Sequence, residues 1–292
     1  MDRKEILVNK KRIVIKVGTT TITYSETGNI NLDKLEKFVR VLINLRNQGK
    51  EVIVVSSGAV GVGKNALGMK QKPETEAAKQ ACAAVGQARL MMIYEKLFNE
   101  YAQLTAQVLL TKESVTNKEC RRNARQAFDE LFRMNVVPIV NENDAISVDE
   151  LSYGNFGDND TLAAYVAKLV DADLLILMSD INGLYTDDPK LNPQAKLIHT
   201  VGRIDARLEY MAKGASTELG TGGMATKIKA AKIATAAGAD MVIANGENIY
   251  TINDIMAGKR VGTLFLSKEH RKDRAKKPGM KKKSAEAEET KS

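Results

Sequence analysis

Residues 12–20 read Arg12-Ile13-Val14-Ile15-Lys16-Val17-Gly18-Thr19-Thr20, a short β-branched run that stops at a glycine. β-branched side chains fit a pleated strand, and glycine lets the chain turn where the strand ends. Comparable runs recur at Glu51–Ser56, Thr105–Leu110, Val136–Val140, Leu174–Met178 and Met241–Ala244. Between the first two, Leu35, Phe38, Val39 and Leu42 keep the i, i+3, i+4, i+7 spacing of one helical face, which returns at Leu162, Tyr165, Val166 and Leu169. Asn31 reads as the N-cap of the first of these helices and Gly49 as its stop. Strands that are continuously apolar and separated by long helices predict an open, mostly parallel sheet covered on both faces, a three-layer α/β/α sandwich. In such sheets ligands bind outside the carboxyl ends of the strands.

The whole chain has 292 residues, 43% apolar and 27% charged, enough for one or two domains with a substantial core. There is no apolar run near the length of a membrane span, and Met1 to Arg12 lacks the apolar centre of a secretory signal. Two cysteines, Cys82 and Cys120, suit a reducing cytoplasm better than a disulfide scaffold. Two histidines, His199 and His270, are too few for a rich metal site. The net charge of +8 invites a nucleic-acid reading, but residues 267–292 hold ten Lys/Arg against five Asp/Glu, so the other 266 residues carry only +3. That basic tail is almost free of apolar residues and has no aromatic on which a base could stack, so a solvated, disordered segment is expected. A chain ending at Leu266 is expected to keep its activity.

Three glycine clusters mark turns at strand ends: Lys16-Val17-Gly18-Thr19-Thr20, Ser56-Ser57-Gly58-Ala59-Val60-Gly61-Val62-Gly63-Lys64, and Gly220-Thr221-Gly222-Gly223-Met224-Ala225-Thr226-Lys227. Backbone N–H groups at such turns approach anions closely, and two clusters add a lysine, Lys16 and Lys227. Gly58 to Asn65 imitates a P-loop, but Asn65 stands where the Mg²⁺-binding hydroxyl belongs. Gly61-x-Gly63-x-x-Ala66 imitates a dinucleotide fingerprint without an acidic residue at the end of a following strand. Two acidic-amide turns complete the set, Asn141-Glu142-Asn143-Asp144 and Gly157-Asp158-Asn159-Asp160, richer in Asp and Asn than capping requires. Neither has a neighbouring His or Cys, which argues against a transition-metal site.

Taken in order over about Arg12 to Leu266, these stretches, with Ser179-Asp180-Ile181-Asn182-Gly183-Leu184-Tyr185-Thr186, resemble the amino acid kinase family. The runs at Asn141–Asp144 and Gly157–Asp160 favour the branch that phosphorylates L-glutamate over acetylglutamate, aspartate, carbamate and uridylate kinases. The resemblance implies transfer of the ATP γ-phosphoryl group to the glutamate side-chain carboxylate, with Mg²⁺ riding on the nucleotide, as the first step of proline biosynthesis. It implies Lys16, Lys227 and Asp160 as catalytic residues, the aspartate orienting both lysines. Ser57, Gly58, Asn143, Asp144 and Asn159 would hold glutamate, with Asp144 facing the α-ammonium. Lys16, Gly18, Thr19, Ser179, Asp180, Tyr185 and Thr221, Gly222, Gly223, Met224, Ala225, Thr226 and Lys227 would hold ATP. No protein side chain is assigned to the metal.

The resemblance further implies L-proline as a feedback inhibitor sharing the glutamate site, hand-over of product to glutamyl phosphate reductase, and a homo-oligomer. It divides the body into a glutamate lobe, about 1–172, and a nucleotide lobe, 173–266, with no room for the C-terminal PUA domain of many bacterial members. The chemistry is consistent with the composition: a carboxylate with a reference pKa of about 4.3 is already ionised at neutral pH and needs no general base. Positioning and charge neutralisation remain, the work of paired lysines. Neither lysine is expected to pack in the core, so folding is expected to survive loss of either. The alternatives are an acetylglutamate or aspartate kinase of the same family, a P-loop-type NTPase, and a non-catalytic nucleic-acid-binding regulator.

Overall fold

The computed structural model describes residues 2–146, 156–189, 191–206, 208–209 and 223–270. Among the described residues eight strands form one sheet: β1 (Arg12–Val17), β2 (Glu51–Ser56), β3 (Thr105–Leu110), β4 (Val137–Glu142), β5 (Leu174–Ser179), β6 (Thr200–Val201), β7 (Asp240–Asn245) and β8 (Thr263–Phe265). Their order is β3-β4-β2-β1-β5-β7-β8-β6, parallel throughout except for the β7–β8 pair. The helices are α1 (Arg3–Val8), α2 (Thr19–Ile22), α3 (Leu32–Asn47), α4 (Ala59–Ala66), α5 (Glu76–Asn99), α6 (Lys112–Thr116), α7 (Lys118–Arg133), α8 (Asn159–Leu169), α9 (Met224–Ala236) and α10 (Thr251–Met256). The six expected strands are present. β4 lies one residue later at its start than expected and runs on through Asn141 and Glu142, which thereby become buried strand residues. β6 and β8, two and three residues long, are too short to show a pattern in sequence. Among the described residues no helix is long and apolar enough to cross a membrane.

The sheet separates two cores. Ile13, Ile15 and Val17 of β1 face α1, α3, α5 and α10, while Val14 faces α7, α8 and α9. Successive strand residues point to opposite faces, so Lys16 shares the side of Val14, the side that α8 and α9 cover. β1 lies at the centre, where the winding reverses: β2 pairs on one edge and β5 on the other. That reversal opens the crevice in which such sheets hold ligands. The expected helix ends also hold: Asn31 accepts a hydrogen bond from the Lys34 N–H at 3.0 Å, and α3 stops just before Gly49.

The P-loop imitation is resolved as helix. Gly58 adopts φ +101°, a left-handed conformation that favours glycine, and α4 starts on the next residue. The later glycines serve packing: a Cβ on Gly63 would overlap the Cys82 carbonyl, and one on Gly86 would overlap the Ala59 carbonyl. α4 and α5 therefore meet backbone to backbone, and Gly61 to Ala66 form no phosphate or dinucleotide loop.

At the amino end of the sheet the expected tail boundary is corrected. Ser267 is fully buried and donates its N–H to Asp240 Oδ1 at 2.7 Å, while His270 Nδ1 lies 2.7 Å from Asp240 Oδ2. Lys10 Nζ reaches the same Oδ2 at 2.6 Å, so a fully buried carboxylate ties both terminal segments to β7. The expectation of a solvated segment from Ser267 onward is therefore corrected for Ser267 to His270, which pack on β7; residues 271–292 lie outside the described set. Cutting after Leu266 is expected to lower Tm by roughly 3–10 °C, since a buried acceptor loses partners. Cutting after His270 should leave it unchanged. Thermal melts of both truncations decide this; equal Tm values would show that the Asp240 cluster contributes nothing.

Candidate active site

α8 begins where Asp158 caps it, accepting hydrogen bonds at 2.8 Å from both the N–H and the hydroxyl of Thr161. This cap sets Asn159 and Asp160 in the first helical turn, at the carboxyl ends of the strands. Lys16 Nζ lies 2.8 Å from Asp160 Oδ1, and Lys227 Nζ, in the first turn of α9, lies 3.0 Å from Oδ2. Thr226 Oγ1 approaches the same Oδ2 at 3.4 Å. The expectation that the lysines avoid the core is corrected here: the side chains of Asp160, Lys227 and Lys16 are only 2%, 4% and 12% exposed. The reason is that β1 aims Lys16 at the face that α8 and α9 close over. Burial pushes the Asp160 carboxyl up, but the charges of Lys16 and Lys227 outweigh it and hold the group below its usual range. Two ammonium groups thus converge on one carboxylate beside the turns at Gly18 and Gly223.

On the neighbouring strand ends, Ser57, Asn159 and Asn141 converge. Asn159 Nδ2 donates to Ser57 Oγ at 2.8 Å, Asn141 Oδ1 at 3.1 Å and the Ser56 carbonyl at 3.2 Å. Asn141 Nδ2 in turn donates to Gln87 Oε1 at 2.9 Å. Gly58 places its backbone against Thr19, 3.5 Å from where a Cβ would stand, so the first two glycine turns adjoin. Gln87 carries no sequence signal, because it sits in an Ala-rich helix with no motif around it. Asn141 belongs to the first acidic-amide run, but nothing in that run gives it a role.

Asn143 and Asp144 follow β4, where the Asn143 N–H donates to the Leu110 carbonyl at 2.9 Å. Asp144 is half-buried, and its carboxyl is pushed up to about 6, first by burial and then by the charges of Glu142 and Glu76. Carboxylates gathered in this way favour a cationic ligand between them. Glu142 is itself buried, and its Oε1 accepts the Phe156 N–H at 3.0 Å.

On the far side of β1, Ser179 ends β5 and donates to Asp180 Oδ1 at 2.9 Å. Tyr185 Oη accepts from Asn182 Nδ2 at 3.2 Å, and Asn182 Oδ1 accepts from Asn245 Nδ2 at 2.9 Å, linking this turn to the end of β7. Asn245 is a further neighbour that no sequence motif singles out. Gly223 precedes α9, with Met224, Ala225, Thr226 and Lys227 forming the first turn. Thr221 and Gly222 lie outside the described residues. Among the described residues no three His, Cys, Asp or Glu side chains are grouped to hold a metal ion.

The sequence pattern of the amino acid kinase family matches residues 11–245, which contain every residue of these clusters. The chain belongs to the amino acid kinase family. Relatives named glutamate 5-kinase share about half their sequence with it. That of Clostridium perfringens is 50% identical over 266 residues, 91% of this chain and 98% of the relative. That of Clostridium tetani is 53% identical over 264 residues, 90% and 97% of the two chains. Among solved structures, the carbamate kinase of Giardia lamblia bound to AMP-PNP has a TM-score of 0.62 at 15% identity, covering 89% of this chain and 99% of its own. The UMP kinase of Bacillus anthracis has a TM-score of 0.58 at 14% identity, covering 89% and 97%. These distant matches carry the amino acid kinase fold alone, and agree with the three-layer sandwich read from sequence.

Proposed function

We propose that this chain is an ATP-dependent kinase that phosphorylates the side-chain carboxylate of L-glutamate, giving L-glutamyl 5-phosphate. The observation that carries the reading is the buried Lys16–Asp160–Lys227 cluster, one residue along α8 from the Asn159–Ser57 contact. A cationic clamp and a cluster of amide side chains thus adjoin at the point where the sheet reverses its winding. The half-identity to relatives named glutamate 5-kinase supports the choice of acceptor.

In this reading the turns at Gly18-Thr19 and at Gly223 to Lys227 hold the ATP phosphates, with Lys16 and Lys227 on opposite sides. Ser179, Asp180 and Tyr185 shape the nucleotide pocket. Ser57, Gly58, Asn143, Asp144 and Asn159 hold glutamate, the Asp144 carboxylate meeting the α-ammonium. A side-chain carboxylate oxygen attacks the γ-phosphorus, the bond to the β–γ bridging oxygen breaks, and ADP leaves with that electron pair. No proton needs to be removed. The protein's part is to hold two anions in line and to spread positive charge over the transferred group. Both Asp160 oxygens lie within 3.0 Å of an ammonium group, and Mg²⁺ is taken to enter as part of the substrate MgATP.

The product is an acyl phosphate, prone to hydrolysis, which fits hand-over to a reductase in proline biosynthesis. The same reading includes a cytoplasmic homo-oligomer and L-proline as a feedback inhibitor. The test is ATP turnover with glutamate, N-acetylglutamate and aspartate side by side, the acyl phosphate being trapped as a hydroxamate. Glutamate is expected to be preferred over N-acetylglutamate by at least about a hundredfold in kcat/KM, because a site built for a charged α-ammonium rejects an acetylated one, and over aspartate, one methylene shorter, by about tenfold or more. Preference for either competitor would overturn the assignment.

A further inference from the structure

We propose that Gln87 is a positioning residue of this site, acting through Asn141 and Asn159 to make Ser57 a hydrogen-bond donor toward the bound carboxylate substrate; the inference rests on the glutamate-kinase reading. A primary amide has one accepting oxygen and one donating NH₂ group, so a chain of amides has a direction. Gln87 Oε1 accepts from Asn141 Nδ2 at 2.9 Å, which turns Asn141 Oδ1 toward Asn159. Asn159 Nδ2 donates to that oxygen at 3.1 Å and to Ser57 Oγ at 2.8 Å. With its oxygen accepting from Asn159, the Ser57 hydroxyl keeps its own proton to give to an anion. If the Gln87 amide were reversed, NH₂ would face NH₂, and each step outward would lose its sense. Buried chains of this kind are sensitive to the loss of any member.

The fold holds Gln87 in place from both sides. Gly86, the residue before it, packs backbone to backbone with α4, the helix that follows Ser57 and Gly58. Two turns further along α5, the fully buried Tyr94 shares a 3.0 Å hydrogen bond with Ser56 Oγ. α5 is thereby fixed to the β2–α4 turn at two points, with Gln87 between them. The glycine pattern that imitates a nucleotide loop is used instead to seat a side chain behind the acceptor site.

The test compares Gln87→Met, which keeps the length but not the acceptor, with Gln87→Glu, which keeps an acceptor oxygen at the same reach. Gln87→Met is expected to raise the glutamate KM by about tenfold or more, as for a buried donor left unsatisfied, with the ATP KM unchanged. Gln87→Glu should return the glutamate KM to within about threefold of wild type, since Asn141 regains its partner. Asn141→Ala and the double variant Gln87→Met/Asn141→Ala should match each other, because removing a residue that acts only through Asn141 adds nothing. Gln87→Asn, one methylene too short, serves if Gln87→Met does not fold, and should behave as Met. A wild-type glutamate KM in a folded Met or Asn variant overturns the proposal, and so does an equal rise in both substrates' KM. Wild-type protein without turnover of glutamate would instead overturn the functional reading, and this inference with it.

Discussion

Lys227→Ala and Lys16→Ala are each expected to lower kcat by about a hundredfold or more, the usual effect of removing charge aimed at a developing transition state. Both ammonium groups converge on Asp160 from different turns, so one cannot substitute for the other. Burial extends the effect to stability. Asp160 and Lys227 are buried and Lys16 is half-buried, and each variant leaves Asp160 with one ammonium partner in place of two. The loss should be smaller than the roughly 3–5 kcal/mol of a fully broken buried pair, because one ammonium still neutralises the carboxylate. Asp160 is held below its usual range, so its contribution to stability is present at neutral pH and disappears as pH falls through the folded-state value. Losing a lysine weakens that depression, so acid unfolding of Lys227→Ala should begin at higher pH than in wild type. Steady-state kinetics below the variant's own Tm, with melts from neutral to acid pH, measure both effects. A folded Lys227→Ala enzyme with wild-type kcat would remove the proposed mechanism.

Asp144→Ala is expected to raise the glutamate KM and the L-proline inhibition constant together, leaving the ATP KM little changed. Glutamate and proline share an α-carboxylate and a charged α-nitrogen, while proline lacks the accepting carboxylate, so one carboxylate serves both. Truncating one partner of a buried charged contact costs about 2–5 kcal/mol, or roughly 30-fold and upward in binding. The raised Asp144 carboxyl gives this prediction a pH signature. Protonation as pH falls through about 6 removes the charge that meets the ammonium, so glutamate KM should rise below that pH. Stability runs the other way. The folded carboxyl is raised from 3.8 to about 6, so above pH 6 the free protein carries a penalty that vanishes toward pH 4. Asp144→Asn should therefore be more stable than wild type at pH 8, by on the order of 1–3 kcal/mol, and equal to it near pH 4. Proline inhibition that persists unweakened in Asp144→Ala while glutamate binding collapses would place the inhibitor elsewhere.

Much of the candidate site is legible in the amino-acid sequence, residue by residue. Lys16 and Lys227 stand at glycine turns, Asp160 and Asn159 in an acidic-amide turn, and Ser57 and Gly58 at the end of a strand. Each has a local signature, because strand ends and helix starts demand particular backbone conformations and caps. Their burial has no such signature. A lysine beside a glycine is ordinarily exposed, and only the closure of α8 and α9 over one face of β1 turns Lys16 and Lys227 into members of a buried triad. Gln87 and Asn245 escape notice for the same reason: each matters through a partner more than 50 residues away in the chain.

The continuously apolar, β-branched runs of its strands, the period of 3.6 in its helices and the glycines between them are enough to specify a mostly parallel α/β sandwich. Those signals are local, since they arise from the geometry of a few consecutive residues. Strand order, the antiparallel β7–β8 pair, the Gly63–Gly86 contact and the attachment of Ser267 and His270 to Asp240 come only from the tertiary structure. Those features depend on which distant surfaces bury one another best, and no window along the chain contains both partners.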